Sequence, residues 1–301
     1  MRPTNVRIVE VGARDGLQNE PKTLPTAVKV TLIRDLIAAG LTHIEAGSFV
    51  SPKWVPQMAD TAEVMAALGH PPGVVLSVLT PNLKGLEGAI ASRADEVVLF
   101  SAASEAFSQR NTNCSIAESI ARFREVARAA TAAGIKARGS VSVTLGCPYE
   151  GEVPVSKVVE LATALIDAGC YEVSLADTIG VGTPLKARAM VAAVAREVPV
   201  GRLAVHFHDT YGQALANVAA CLEEGITVVD SAVAGLGGCP FAKGAAGNVA
   251  TEDVVYMLQG MGIETGVDLG RLAAAGRSIT AALGRTSPSK VASALAAKAA
   301  A

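Results

Sequence analysis

The chain has 301 residues, of which half are hydrophobic, 18% are charged and 4% are aromatic, and its net charge is −2. This balance argues against a nucleic-acid partner and against binding to a membrane surface, and the apolar content excludes intrinsic disorder. No apolar run is long enough to span a bilayer. We see no signal or transit peptide before the first predicted strand, and the five scattered cysteines form no CxxC pair. We therefore expect a soluble, cytoplasmic protein.

Short β-branched runs alternate with alanine-rich segments along the chain. The runs predict eight strands, at 6–11, 43–46, 74–79, 96–100, 136–145, 172–176, 203–208 and 228–233. The alanine-rich segments predict the helices between them, such as 27–39, 115–133, 154–168 and 212–224. Several helices are followed by a glycine, which tolerates the left-handed conformation that ends a helix: Gly40, Gly134, Gly169 and Gly225. Ser115 and Glu118 have the spacing of a capping box at the start of the fourth helix.

The repeated strand–helix order predicts an α/β protein with the TIM (β/α)8 barrel fold. A doubly wound sheet is the alternative, but the GxGxxG phosphate fingerprint is missing after the first strand. We predict a catalytic barrel domain over residues 1–267. The tail over 268–301, interrupted by Gly284 and Pro288, is predicted to form one or two extra helices on the barrel.

Reactive side chains are concentrated at the predicted carboxyl ends of the strands, where TIM barrels hold their catalytic groups. Arg14 and Asp15 follow strand one, and Cys239 follows strand eight. Glu45 closes strand two, Asp177 closes strand six, and His206 and His208 close strand seven. We therefore expect them to meet on one face of the barrel, and we expect few such groups at the strand starts.

The pair His206 and His208 indicates a metal site. Residues two apart on a strand point to the same side, so both imidazoles can face the barrel interior while Phe207 faces the helices. Two structural histidines in a polar interior are the alternative interpretation. With a carboxylate from Asp15 and an amide oxygen from Asn248, the four side chains offer the mixed nitrogen and oxygen ligands that suit Mg²⁺, Mn²⁺, Co²⁺ or Zn²⁺.

Arg14 has two interpretations. A fixed guanidinium at a strand end can hold a developing oxyanion. The alternative is a salt bridge that braces the loop, although we do not expect Arg14 to pair with its neighbour Asp15. Glu45 and Asp177 need partners or a metal if buried, and the spacing does not separate a structural role from proton transfer.

The glycine-rich segment 235–247 lacks the GxxxxGK[ST] order of a nucleotide-binding loop. Glycines at both ends instead favour a loop that opens and closes over a site. Cys239 lies between Gly238 and Pro240 in this loop, a poor position for core packing. We therefore predict that its thiol transfers a proton or acts as a nucleophile.

Several segments closely resemble the 3-hydroxy-3-methylglutaryl-CoA lyase family of the DRE-TIM metallolyases. The resemblance is carried by VEVGARDGLQNE (9–20), EAGSFVSPKWVPQMAD (45–60), SLADTIGVGTP (174–184), VHFHDTYGQALANV (205–218) and AGLGGCPFAKGAAGNVATEDVVYML (234–258), with shorter matches at 79–85 and 146–151. It covers nearly the whole chain.

This resemblance implies cleavage of 3-hydroxy-3-methylglutaryl-CoA, an acyl-CoA, to acetyl-CoA and acetoacetate in leucine degradation. It also implies a divalent cation, Mg²⁺ or Mn²⁺. The family's metal ligands correspond to Asp15, His206, His208 and Asn248. Its catalytic residues correspond to Arg14, Glu45, Asp177 and Cys239. We also expect a homo-oligomer, a dimer or larger.

Two departures and two rival functions stay open. Gly47 stands where some relatives have threonine, which would widen the acyl pocket and suit a lyase for a larger 3-hydroxyacyl-CoA. The chain also lacks the transit peptide and peroxisomal signal of some eukaryotic members, as expected for a bacterial cytoplasmic enzyme.

A Claisen condensing synthase of the isopropylmalate type shares the HxH and aspartate pattern but carries a further C-terminal region. A non-catalytic protein that binds CoA esters is the other rival.

Overall fold

A computed structural model describes residues 2–238 and 247–299 of the chain. Its eight strands are all parallel and close into a barrel in the order β1 to β8. The strands are β1 Arg7–Glu10, β2 His43–Ser48, β3 Val75–Leu79, β4 Glu96–Ala102, β5 Lys136–Ser142, β6 Glu172–Asp177, β7 Leu203–Phe207 and β8 Val228–Ser231. The predicted TIM barrel is confirmed.

Helices connect successive strands and form the outer layer. In the described residues they are α1 Thr26–Ala38, α2 Thr61–Leu68, α3 Leu83–Ala91, α4 Glu105–Thr112, α5 Ile116–Ala132, α6 Val155–Asp167, α7 Pro184–Val194, α8 Ala214–Glu223, α9 Thr251–Gly260, α10 Leu269–Leu283 and α11 Lys290–Ala299. The capping box of Ser115 and Glu118 is present, with both reciprocal hydrogen bonds. It opens α5, the fifth helix and not the fourth, because the short α4 follows β4.

Seven of the eight strands end one to three residues from the predicted position, and local structure accounts for three of these ends. β5 stops at Ser142 because Val143 has a φ of 56°, a left-handed conformation that ends the strand. β2 continues past Glu45 to Ser48 through an irregularity in its pairing with β3 between Glu45 and Gly47. β7 ends at Phe207, and His208 continues only as an isolated bridge to another loop.

The C-terminal tail forms two helices on the outside of the barrel. α10 packs against α1 and against the short turn Val233–Gly235 that follows β8. Gly284 ends α10 with a φ of 76°. Both outcomes agree with the predicted extra helices, while the domain boundary after residue 267 stays a prediction. No helix within the described ranges is long and apolar enough to cross a membrane.

The barrel has an apolar outer core and a charged interior. Ile33, Leu165 and Phe207 are among the large side chains buried between strands and helices. Inside the barrel, the Arg138 Nε atom donates to Glu172 at 2.8 Å, and Arg7 also pairs with Glu172. Charged groups therefore also lie near the strand starts, where we expected few. Successive side chains of a strand face alternately outward and inward. The outward positions pack apolar side chains against the helices, and the inward positions hold polar ones.

All four predicted helix-stop glycines adopt positive φ angles: Gly40 at 98°, Gly134 at 76°, Gly169 at 108° and Gly225 at 91°. Their surroundings differ. A Cβ atom added at Gly40 would collide with the backbone oxygen of Gly266, whereas one added at Gly134 would meet no atom within 4 Å.

Gly40→Ala is therefore expected to lower the free energy of unfolding more than Gly134→Ala. Both substitutions force alanine into a left-handed conformation, which costs roughly 1–2 kcal/mol, but only Gly40→Ala adds a backbone collision. Urea denaturation of both variants measures the difference. Equal losses would show that the chain around Gly266 yields freely to the added methyl group.

Candidate active site

Three predicted ligands meet at the carboxyl end of the barrel. Asp15, His206 and His208 each present a ligand atom, and these atoms lie within 4.8 Å of one another. Asp15 is placed by the π-helical turn Gly12–Gly16 directly after β1, and the histidines by the end of β7. The two imidazole rings lie 5.5 Å apart, while Phe207 between them in sequence is buried among the helices. The same-side geometry expected of the HxH pattern is present.

Asn248 completes the cluster from another loop. It forms a bridge to His208, and its Nδ2 atom donates to Asp15 Oδ2 at 2.8 Å and to the Leu236 carbonyl oxygen at 3.2 Å. Its Oδ1 atom is buried without a hydrogen-bond partner among the described residues. A buried acceptor oxygen is costly without a partner. Its position beside a carboxylate and two imidazoles fits a ligand of a divalent cation.

The charge of Asp15 suits the same role. Burial opposes its ionisation, but Arg14, His206 and His208 together outweigh burial and lower the pKa of Asp15 to about 2. The carboxylate is therefore ionised at neutral pH. His43, by contrast, lies at the start of β2, and His70 lies in an exposed turn.

Arg14 forms a fork between two carboxylates. Its Nη1 atom lies 2.9 Å from Asp15 Oδ1 and its Nη2 atom 2.8 Å from Glu45 Oε2. The expectation that the neighbours Arg14 and Asp15 would not pair is wrong, because the π-helical turn folds the guanidinium back over the carboxylate. Arg14 Nε and Glu45 Oε1 are buried with no hydrogen-bond partner in the described structure.

Glu45 is 2% exposed and Asp177 is fully buried. Burial raises the pKa of Glu45, and Arg14 only partly offsets this. At the end of β6, Asp177 accepts hydrogen bonds from the backbone N–H groups of Gly182 at 2.7 Å and Val181 at 3.2 Å. Burial also raises the pKa of Asp177, against these hydrogen bonds and the nearby His206. The pKa values of both acids are thus raised toward neutral pH.

Cys239 lies outside the described residues, so its predicted role stays a prediction. The four other cysteines are free and buried: Cys114, Cys147, Cys170 and Cys221. The chain that leads to Cys239 is described up to Gly238, and Gly237 in this segment has a φ of 122°.

Two buried glutamates that we did not identify from the sequence, Glu10 and Glu252, hold the turn Val233–Gly235 that follows β8. The Glu10 Oε1 atom accepts hydrogen bonds from the N–H groups of Gly12 at 2.8 Å and Val233 at 2.9 Å, and Thr251 donates to Glu10 Oε2 at 2.6 Å. Glu252 accepts from the N–H group of Ala234 at 2.9 Å. Glu10 connects the turn that carries Arg14 to the turn after β8, and Glu252 connects that second turn to α9. The sequence signal that could have identified Glu10 is a glutamate at the end of the strand RIVE.

Gly47 does not open a pocket in the way we expected. A Cβ atom at this position would lie 2.6 Å from the Thr61 side chain at the start of α2. Thr61 is itself fixed, because its hydroxyl bonds to the backbone of Ser48 and Met58. The missing side chain therefore faces α2, and close packing explains the glycine.

Asp230 is a further residue that the motifs did not reveal. It lies on β8 beside His206 in the strand register, and the His206 Nδ1 atom is 3.4 Å from Asp230 Oδ2. The signal that could have identified it is a single carboxylate within the strand VVDS, at a position that points inward.

Comparisons with known proteins identify a family and several similar enzymes. The family model HMGL-like matches residues 5–279. The mitochondrial hydroxymethylglutaryl-CoA lyase of Gallus gallus is 60% identical over 96% of this chain and 97% of its own length. The 3-hydroxy-3-isohexenylglutaryl-CoA/hydroxy-methylglutaryl-CoA lyase of Pseudomonas aeruginosa is 59% identical over 99% of both chains.

Two solved structures have the same fold. The hydroxymethylglutaryl-CoA lyase from Pseudomonas aeruginosa superimposes with a TM-score of 0.97, at 58% identity and 99% coverage of both chains. An HMG-CoA lyase from Acinetobacter baumannii, solved in complex with coenzyme A and 3-methylmalate, has a TM-score of 0.93 at 38% identity, covering 97% of this chain and 95% of its own.

The buried Glu10 predicts a pH dependence of stability. Burial raises its pKa from 4.5 to about 7, although Thr251, Val233 and Gly12 donate hydrogen bonds that oppose the shift. The folded protein therefore binds the proton more tightly than the unfolded chain. This contribution is fully present below pH 4.5 and is lost as the pH rises through 7, by up to about 3 kcal/mol.

Glu10→Gln keeps the acceptor oxygen and removes the titration. We expect its free energy of unfolding to vary less than that of the parent between pH 5 and 8, as measured by urea denaturation at each pH. Glu87→Gln, at an exposed position on α3, is the control and should follow the parent. Identical pH profiles for parent and Glu10→Gln would contradict the raised pKa.

Proposed function

We propose a mechanism for this chain from the premise that it belongs to the HMGL-like family and is a carbon–carbon lyase of the hydroxymethylglutaryl-CoA type. The resemblance and the activity predicted from the motifs, cleavage of 3-hydroxy-3-methylglutaryl-CoA to acetyl-CoA and acetoacetate, are thereby confirmed. The observation that carries the assignment is identity of about 60% over 96% of the chain. The identity of the metal and the role of each site residue are our proposals.

Asp15, His206, His208 and Asn248 would hold one divalent cation, which we propose to be Mg²⁺ or Mn²⁺. The unpartnered Asn248 Oδ1 atom and the ionised Asp15 support this assignment. Oxygen-rich ligand sets with imidazole suit these hard cations, and thiolates are not required. When bound, such a cation acts as a Lewis acid that lowers the pKa of the substrate's tertiary hydroxyl group.

Asp177 is the group that we propose to accept the hydroxyl proton, since both ring nitrogens of His206 are occupied when it binds the cation. The raised pKa of Asp177 brings it toward the range of an effective general base at neutral pH. Two backbone N–H groups hold its carboxylate in place. Loss of the hydroxyl proton allows the carbon–carbon bond to break, and negative charge then moves to the acetyl thioester.

Arg14 is placed to stabilise that charge. Two carboxylates fix its guanidinium, and its Nε atom has no partner among the described residues, so one N–H group is available to a developing oxyanion. Removing one such donor from an oxyanion hole costs roughly 2.7–4 kcal/mol in other enzymes. Glu45 orients Arg14 through the 2.8 Å contact and, with its raised pKa, is also able to take part in proton transfer.

We propose that the acyl group of the acyl-CoA substrate is small. A relative 38% identical to this chain was solved with coenzyme A, which agrees with an acyl-CoA substrate. The Pseudomonas aeruginosa relative is named for a larger isohexenyl substrate as well. Gly47 does not favour that larger substrate, because the position faces Thr61. Comparing turnover of both acyl-CoA esters distinguishes the two substrates.

A cytoplasmic location and a homo-oligomeric state also remain proposals. The free, buried cysteines Cys114, Cys147, Cys170 and Cys221 suit a reducing compartment. The exposed Leu185 on α7 adjoins a groove between α7 and α8, which offers an apolar surface to a second copy. Sedimentation of the full chain measures the oligomeric state.

Incubation with 3-hydroxy-3-methylglutaryl-CoA is expected to yield acetoacetate, and a chelator is expected to abolish the reaction until Mg²⁺ or Mn²⁺ is restored. His206→Ala and His208→Ala should weaken Mn²⁺ binding and reduce kcat severely. Arg14→Lys is the matched control: it keeps the charge but loses the planar fork. We expect it to reduce kcat strongly while Mn²⁺ binding stays close to that of the parent.

Other outcomes would favour the rivals. Product from acetyl-CoA and 2-oxoisovalerate, with no lyase turnover, would indicate a condensing synthase. No turnover with any acyl-CoA would indicate a binding protein. Parental Mn²⁺ affinity in both histidine variants would place the metal elsewhere, and parental kcat in Arg14→Lys would remove Arg14 from the mechanism.

Cys239 is proposed to deliver the final proton to carbon. Cys239→Ser keeps the size of the side chain but replaces a thiol by a far weaker acid, so we expect slow turnover with unchanged binding of metal and substrate. In the parent, brief iodoacetamide treatment should label Cys239 before the four buried cysteines, since thiol reactivity follows access and thiolate character. Mass-spectrometric mapping would oppose the proposal if another cysteine were labelled first with activity intact.

A further inference from the structure

Asp230 is a carboxylate buried inside the barrel and held by two other side chains. The Arg138 guanidinium donates to both of its oxygens, from Nη2 to Oδ1 at 2.7 Å and from Nη1 to Oδ2 at 3.1 Å. The Ser174 hydroxyl donates to Oδ2 at 2.9 Å. Arg138 and Asp230 are each 3% exposed. Bidentate arginine–carboxylate pairs have fixed geometry, so Asp230 has little freedom to move.

His206 lies between this carboxylate and the proposed metal site. Its Nδ1 atom is 3.4 Å from Asp230 Oδ2, and its Nε2 atom is 3.9 Å from Asp15 Oδ2. The two ring nitrogens therefore face two different carboxylates. Asp15 belongs to the ligand cluster, whereas Asp230 is held by Arg138 on the far side of the ring.

A neutral imidazole carries one N–H group, and its partner decides which nitrogen has it. A carboxylate accepts hydrogen bonds and does not donate them. The Asp230 carboxylate beside Nδ1 favours the N–H group on that nitrogen. The lone pair of Nε2 then faces the cluster of Asp15, His208 and Asn248. Carboxylates that act in this way on a ligand histidine raise its basicity and fix its orientation.

We propose that Asp230 is a positioning residue, which fixes the ring orientation and tautomer of His206 so that Nε2 faces the metal. The proposal rests on the proposed function, because it requires that His206 bind a divalent cation. Arg138 has a supporting part: it anchors Asp230 and is itself held by Glu172 through the 2.8 Å contact at Nε. The positions of the ligands thus depend on a layer of charges deeper in the barrel.

Asp230→Asn tests the proposal with a side chain of the same size. Its amide group is able to donate a hydrogen bond to Nδ1, which would move the ring proton to Nε2 and block ligation. We expect the affinity for Mn²⁺ alone, measured by electron paramagnetic resonance of the free ion, to fall roughly 10–100-fold. Ser174→Ala is the matched control, since it removes one hydrogen bond to the same carboxylate and leaves Arg138 in place. It should bind Mn²⁺ like the parent.

A second measurement needs no substitution at Asp230. The chain has four histidines, so the ¹⁵N spectrum of the histidine-labelled parent is simple, and His206→Gln assigns the signal. Once these spectra show that the His206 ring has become neutral, the metal-free protein should show it protonated at Nδ1 and unprotonated at Nε2. This result decides the question if Asp230→Asn fails to fold with Arg138 unpaired.

The outcomes separate this proposal from the proposed function. If the parent binds no Mn²⁺, the metal site itself is wrong. If the parent binds Mn²⁺ and folded Asp230→Asn binds it equally well, only the role of Asp230 is overturned. An Nε2-protonated ring in the parent would overturn it in the same way. An affinity loss as large in Ser174→Ala as in Asp230→Asn would reduce Asp230 to a general structural role.

Discussion

The ion pair between Arg138 and Asp230 is the contact on which the interior of this barrel depends. Both side chains are almost completely buried, and each would be costly there without the other. Breaking a buried pair by removing one partner typically costs about 3–5 kcal/mol, yet well-packed apolar residues often replace the whole pair without loss. Stability alone therefore does not explain the pair. Its position directly beneath His206 gives it a use that apolar residues could not supply.

The same arrangement recurs at each level of the barrel interior. Near the strand starts Glu172 joins Arg7 to Arg138, in the middle Asp230 joins Arg138 to His206, and at the mouth Arg14 joins Asp15 to Glu45. Each of these four carboxylates has at least one arginine partner. Because the apolar layer lies outside, between strands and helices, substitutions in the charged layers act on the site more directly than on the hydrophobic core.

Local patterns were sufficient to predict the fold. Eight β-branched runs and four helix-stop glycines each have a cause within a few residues, and all twelve features occur in the structure. Strand ends were less predictable: the turn at Val143 involves a hydrogen bond from its N–H group to the Thr178 hydroxyl at 2.8 Å, a contact between the loops that follow β5 and β6. The same limit explains the error at Gly47, whose neighbour Thr61 is close only after α2 packs on β2.

The candidate site was predictable where strand geometry alone decides, as for the paired histidines and the acids that end strands. Asn248 was named only as a possible oxygen ligand that the motif resemblance then supported, because its position depends on a loop that strand geometry does not fix. Asp230, Glu10 and Glu252 were missed because they act on other residues of the site, and a sequence does not show which groups lie across a barrel. One rule would have found all three: a charged residue at an inward or buried position needs a partner. In a barrel whose mouth holds reactive groups, the partner is often a group of the site, so unexplained buried charges are the first place to look for residues that position a catalytic centre.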